Sequence, residues 1–133
     1  MIVLIILMSV ILLLYFLFPL VQVVGSSMYP TYFDGEIIIG TKLFRKSKVE
    51  SGDIIVYRCP TDNKIVIKRV LNVYRRKKHP RGHTYMSSSL SYYCIGDNRN
   101  HSYDSRQYGY VPAKNVVCKV IKPRAMKIDN LEM

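Results

Sequence analysis

The sequence predicts a mostly β domain carried behind a single N-terminal transmembrane helix, and three observations predict it. From Ile2 to Val24 no residue is charged and Gln22 is the only strongly polar one. At about 1.5 Å per residue, such a run reaches across the ~30 Å apolar core of a bilayer. Behind it come short apolar runs separated by turn-forming Asp, Gly, Pro and Asn. No long amphipathic helix, internal repeat or glycine-rich nucleotide-binding pattern interrupts them.

The chain has 133 residues, enough for one modest core. It divides into an anchor at 1–24, a compact β domain at 25–122 and a peripheral tail at 123–133. Pro19 is placed to kink the anchor near its outer end. A cleaved secretory signal is the competing reading of this run. It lacks a basic leader, and Val23-x-Gly25 makes a poor cleavage site. Cleavage after Gly25 would still leave Ser27 in place.

The formal net charge is +11, with basic clusters at Lys42 to Lys48, Arg75 to Arg81 and Lys119 to Lys127. Such clusters suit membrane lipids with anionic headgroups. No nucleic acid is expected as a partner, because no recognition motif accompanies the basic loops. Asp34 and Glu36 precede Lys42 beside the apolar run, so charge alone specifies orientation weakly. Cys59, Cys94 and Cys118 have wide spacings and no zinc pattern, and each lies in or beside an apolar run. They read as buried thiols, and no cofactor or metal is expected.

After the anchor, Asp34-Gly35 forms a turn and Glu36 to Ile39 a short strand. A basic loop follows, and Ser51-Gly52-Asp53 turns the chain into a strand at Ile54 to Tyr57. Pro60 to Lys64 reads as a hairpin turn leading to the longest strand, Ile65 to Tyr74. Alternation puts Lys68 and Arg69 on opposite faces, one buried and one wet. Arg75 to Ser89 reads as a loop, Ser91 to Ile95 as a strand, and Gly96 to Arg106 as a polar loop. Tyr108 to Pro112 returns to the core before a last strand at Asn115 to Ile121.

Three stretches carry chemistry. Gly25 to Thr31 (GSSMYPT) offers a serine straight after the apolar run. A hydroxyl is a feeble nucleophile unless a base takes its proton. Lys68 interrupts an apolar strand, where lost hydration favours its neutral form and fits it for that task. Snorkelling to water, or pairing with Asp97 or Asp104, is the structural alternative. In the loop GDNRNHSYDSR, Ser102 is placed to donate to the lysine nitrogen and hold it toward Ser27, while Asp104 and Arg106 are spaced for an internal ion pair.

SMYPT at 27–31, SGDIIVY at 51–57, IKRV at 67–70 and GDNRNHSYDSR at 96–106, in that order, resemble bacterial-type signal peptidase I in its Ser/Lys branch. The resemblance implies a membrane-bound serine endopeptidase with a signal-peptidase-like β fold. It would remove signal peptides from secretory precursor proteins by cutting after small residues. It implies Ser27 as nucleophile, Lys68 as general base, Ser102 as the hydroxyl that orients the lysine, and Asp97, Asp104 and Arg106 as supports of the site. It also implies a single-pass protein of the cell membrane with its catalytic domain on the extracytoplasmic side. Some members carry a serine where this chain has Gly25, so the backbone N–H of Ser27 is left to hold the oxyanion. The segment from Lys68 to Gly96 is short, which implies a minimal catalytic core.

Two other readings compete. A self-cleaving repressor shares the Ser/Lys arrangement but needs a DNA-binding domain, for which the anchor leaves no room. A membrane-tethered basic binding domain with degenerate motifs has the intact Ser27, Lys68 and Ser102 against it, and a solvent-exposed Lys68 would favour it over catalysis.

Overall fold

A computed structural model describes residues 1–75 and 90–121. Most of the basic loop expected at 75–89, with His79, Pro80, Gly82 and His83, lies outside the described residues, as does the tail at 123–133. So does the basic cluster beyond Ile121.

The N-terminal run forms a helix, α1 (Ile2–Leu17), of 16 residues. It is about 24 Å long, short of the ~30 Å apolar core of a bilayer. No helix among the described residues is long and apolar enough to cross a membrane. This overturns the expected transmembrane helix at 1–24 and the single-pass, extracytoplasmic topology built on it. The cause is local. Phe18 leaves helical geometry at φ −122° and ψ 71°, as a residue before proline is biased to do. Past Pro19 the same apolar run turns into a strand, β1 (Leu20–Gln22).

β1 pairs antiparallel with β2 (Ile37–Thr41), Leu20 opposite Ile39 and Gln22 opposite Ile37. The helix end is tied to that strand. Lys42 N–H donates to Leu17 O at 2.9 Å, and Lys42 Nζ lies 4.0 Å from the centre of the Phe16 ring, a favourable cation–π contact.

The other strands are β3 (Ile54–Arg58), β4 (Ile65–Arg75), β5 (Leu90–Ile95), β6 (Val111–Pro112) and β7 (Val116–Val120). They form one antiparallel sheet in the order β1-β2-β7-β3-β4-β5-β6. Central β3 shows why both faces hold a core. Its alternate residues Ile54 and Val56 join one apolar cluster with Val23, Met28 and Tyr32, while Ile55 and Tyr57 join a second with Val49 and Tyr92. All three cysteines are buried and free, and burial pushes the Cys94 thiol well up.

Lys68 and Arg69 are both buried, at 4% and 7% exposure. The expectation that one would be wet is corrected, because Arg69 has a partner inside. Its Nε and Nη2 grip the two oxygens of Asp97 at 2.9 and 2.8 Å, and Nη1 donates to Gly52 O at 2.9 Å. A paired guanidinium can be buried where a lone one cannot.

Candidate active site

The turn after β1 brings Ser27 to the sheet. Gly25 has φ +84°, a left-handed value that suits glycine, and its N–H donates to Asp34 Oδ1 at 2.8 Å. Met28 is fully buried and fixes the next position. The peptide bond between Tyr29 and Pro30 is cis. Ser27 itself is half-buried, and none of the described groups accepts its backbone N–H.

On β4, Lys68 Nζ donates to Ser27 Oγ at 2.8 Å and to the Ile67 carbonyl at 3.1 Å. Among the described residues no carboxylate pairs with it, so the alternative of an ion pair with Asp97 or Asp104 does not hold. Burial lowers the pKa of the Lys68 ammonium. The charge of Asp104, followed by Cys59 and Cys94, opposes this with smaller effect.

The polar loop closes the site from the end of β5. Asn98 donates twice to the serine turn, from its backbone N–H to Ser27 O at 2.9 Å and from Nδ2 to Ser26 O at 3.0 Å. Asp97 receives the Arg69 fork and a short hydrogen bond from Thr31 Oγ1, which joins the serine turn, β4 and the loop. Asp104 accepts from Arg106 Nε and Nη2, both at 2.9 Å, and from Gly96 N–H at 2.9 Å. It also caps a one-turn helix, α2 (Ser105–Tyr108), in a capping box with Gln107. Burial alone would raise the Asp104 pKa, but hydrogen bonds from Arg106 and Gly96, with the Ser102 hydroxyl nearby, outweigh it and the net shift is downward.

Ser102 is not on the lysine. Its Oγ is buried and reaches no partner at full hydrogen-bond geometry, although it lies near enough to Asp104 to help keep that carboxylate ionised. It packs against Gly96, where an added Cβ would fall 2.2 Å from Ser102 Oγ and 2.6 Å from Ser27 O. The structure thus brings Ser27 and Lys68 into contact and gathers Asp97, Asp104 and Arg106 around them. Sequence reasoning missed Arg69, Thr31 and the close approach at Gly96. It also missed α2, whose signal was legible as Asp104-x-x-Gln107.

A groove leads to the pair, lined by Val21, Gln22, Val24, Ile65 and Ile67 together with Ser27 and Lys68. β5 pairs with β4 only from Arg69 onward, and β1 is the end strand of the sheet. The segment Ile65–Lys68 and strand β1 therefore each have one edge with no neighbouring strand among the described residues. Such edges accept an added extended peptide.

Comparison with known proteins shows the family of the chain. The family model described as signal peptidase, peptidase S26 matches residues 1–73 and 83–123. The chain is 33% identical over 123 residues to mitochondrial inner membrane protease subunit 1 of Schizosaccharomyces pombe, covering 80% of this chain and 73% of that protein. It is 25% identical over 134 aligned positions to signal peptidase I V of Bacillus subtilis, covering 72% and 79%. Signal peptidase I of Buchnera aphidicola (Acyrthosiphon pisum) is 43% identical over 51 residues, or 38% of this chain and 16% of that longer protein. The chain belongs to the signal peptidase, peptidase S26 family.

Proposed function

We propose that the chain is a serine endopeptidase that cuts signal peptides from secretory precursor proteins, with Ser27 as nucleophile and Lys68 as general base. The observation that carries this reading is the 2.8 Å contact between Lys68 Nζ and Ser27 Oγ inside a site where the lysine is buried and unpaired with acid. A buried ammonium without a counter-ion is costly, and the neutral amine is the form a base needs. An exposed Lys68 would favour the degenerate binding domain, and the lysine is 4% exposed beside Ser27, which favours catalysis.

An extended substrate segment adds between β1 and Ile65–Lys68, laying its carbonyl against Ser27. Neutral Lys68 accepts the Ser27 proton through the same contact, reversed in direction, as Oγ attacks. The tetrahedral oxyanion is held by the unpartnered Ser27 N–H. Its collapse breaks the peptide bond, and Lys68 returns the proton to the leaving amine. The acyl-enzyme is then attacked by a water that gives its proton to Lys68, and as the ester bond to Ser27 breaks, Lys68 passes that proton to Oγ, which restores the hydroxyl and the neutral amine. Val21, Val24, Ile65 and Ile67 supply an apolar wall for the small residues before the cut.

The test is cleavage of a signal-bearing precursor by the full chain, with the new N-terminus sequenced, beside Ser27→Ala and Lys68→Ala. Cleavage after a small residue, lost by a factor of about 10³ or more in both variants, is the expected result. A folded parent that leaves the precursor intact overturns the peptidase reading, and cleavage surviving in either variant overturns the dyad.

A further inference from the structure

We infer that Asp34 is a positioning residue for the reaction, bracing the turn that aims the Ser27 N–H; the inference rests on the peptidase reading above. Gly25 has φ +84°, and nothing lies within 4 Å of the place where its side chain would be. Space does not require glycine there; backbone conformation does. A serine at this position would be strained, so a side-chain hydroxyl at 25 is not available to an oxyanion in this chain. The burden falls on the backbone, and the backbone is useful only if its direction is fixed.

Asp34 supplies the fixing contact on one side. Its Oδ1 accepts from Gly25 N–H at 2.8 Å, across nine residues. The Asp34-Gly35 turn is itself locked to the chain leading into the serine. Gly35 N–H donates to Val23 O at 2.7 Å, and Val23 N–H donates to Glu36 O at 2.8 Å. On the other side, Asn98 holds the Ser26 and Ser27 carbonyls. With both carbonyls and the Gly25 N–H engaged, the Ser26 and Ser27 N–H groups are the donors of this stretch left without a partner among the described residues, and that of Ser27 belongs to the residue that carries the nucleophile. Asp34 thus acts through the backbone and touches no reacting atom.

The experiment compares full-chain parent, Asp34→Ala and Asp34→Asn on the same precursor, with kcat and KM resolved, thermal midpoints recorded, and exchange of the Gly25 amide followed by NMR. An asparagine oxygen can still accept from Gly25, whereas alanine cannot. Asp34→Ala is expected to lose about fivefold to tenfold in kcat with KM within about twofold. Its Gly25 amide exchanges faster than in the parent, and Asp34→Asn restores most of both. An Asp34→Ala enzyme with parental kcat, or a loss that tracks the thermal midpoint and is not rescued by asparagine, overturns the positioning role while leaving the peptidase reading intact. A folded parent without cleavage sinks both.

Discussion

Lys68 Nζ and Ser27 Oγ lie 2.8 Å apart although 41 positions separate them in the chain. The contact exists because β4 carries the lysine inward while the polar loop pins the serine turn against the end of β5. Burial depresses the lysine pKa, which has a kinetic consequence. The proposed reaction uses the neutral amine, so kcat/KM should rise with pH along a limb set by Lys68 and level off below the ordinary lysine value of about 10.4. A pH–rate profile of the parent measures this. A limb still climbing at the ordinary lysine value would show that Lys68 is not the titrating base.

The same burial makes Lys68 a cost to folding. With its folded pKa below the unfolded one, the unfolded chain binds the extra proton between the two values, so stability rises with pH across that window. Lys68→Met removes the charge at similar volume. It should unfold at a higher denaturant concentration than the parent at neutral pH, and the difference should shrink as pH approaches the ordinary lysine range. An advantage that stays constant with pH would mean that packing, rather than ionisation, produced it.

Arg69 and Asp97 are the reverse case, a buried pair with both charges answered. Arg69→Ala strands Asp97 in the interior and breaks the link from β4 to Thr31 and the polar loop. The expected loss is about 3–5 kcal/mol in urea unfolding, together with loss of cleavage because the serine turn is no longer tied to β4. A loss below about 1 kcal/mol, the size typical of an exposed pair, would refute this account.

The strands were legible because their side chains face two different cores. Ile54 to Tyr57 and Ile65 to Tyr74 were expected within one residue of their observed ends, since β-branched runs bounded by turns admit few other structures. The apolar run at the N-terminus was misread beyond Leu17 for the opposite reason. Leu20–Gln22 in a strand and the same residues in a helix look alike when every neighbour is apolar, and only Pro19 marked the change. Ser27 and Lys68 could be singled out by residue type, a hydroxyl after a turn and a lysine in an apolar strand. The Arg69–Asp97–Thr31 connection could not, because local spacing says nothing about which charges meet across 28 and 66 positions. Ser102 was expected on the lysine by its chemistry, but its Oγ is packed over Gly96 instead.

Gly96 is where the loop and the serine turn come closest. A methyl group there would lie 2.5 Å from Ser102 Cβ and 2.6 Å from the Ser27 carbonyl oxygen, and a backbone oxygen cannot swing aside as a side-chain end can. Gly96→Ala should cost about 1–3 kcal/mol and reduce kcat further by shifting Ser27 from Lys68. Gly96→Ala combined with Ser102→Gly relieves only the side-chain half of the clash. Denaturant unfolding should then recover in part while kcat stays low. Full recovery of kcat in the double variant would show that the Ser27 carbonyl imposes no constraint.

Asp104 links the site to acid stability. Burial works against its ionised form, yet Arg106, Gly96 N–H and Ser102 together bring its pKa below the ordinary carboxylate range. A depressed carboxyl contributes stability that is fully present above its unfolded value, about 3.9, and is lost as pH falls through the folded value. Asp104→Asn forfeits that contribution at every pH. The variant should therefore be less stable than the parent by about 2–3 kcal/mol at neutral pH, the size of a hydrogen bond to a charged group, and the gap should narrow as both are titrated below pH ~3. Parallel stability curves over that range would show that Asp104 holds the loop as a neutral hydrogen-bonding group, and that the Arg106 ion pair adds nothing to it.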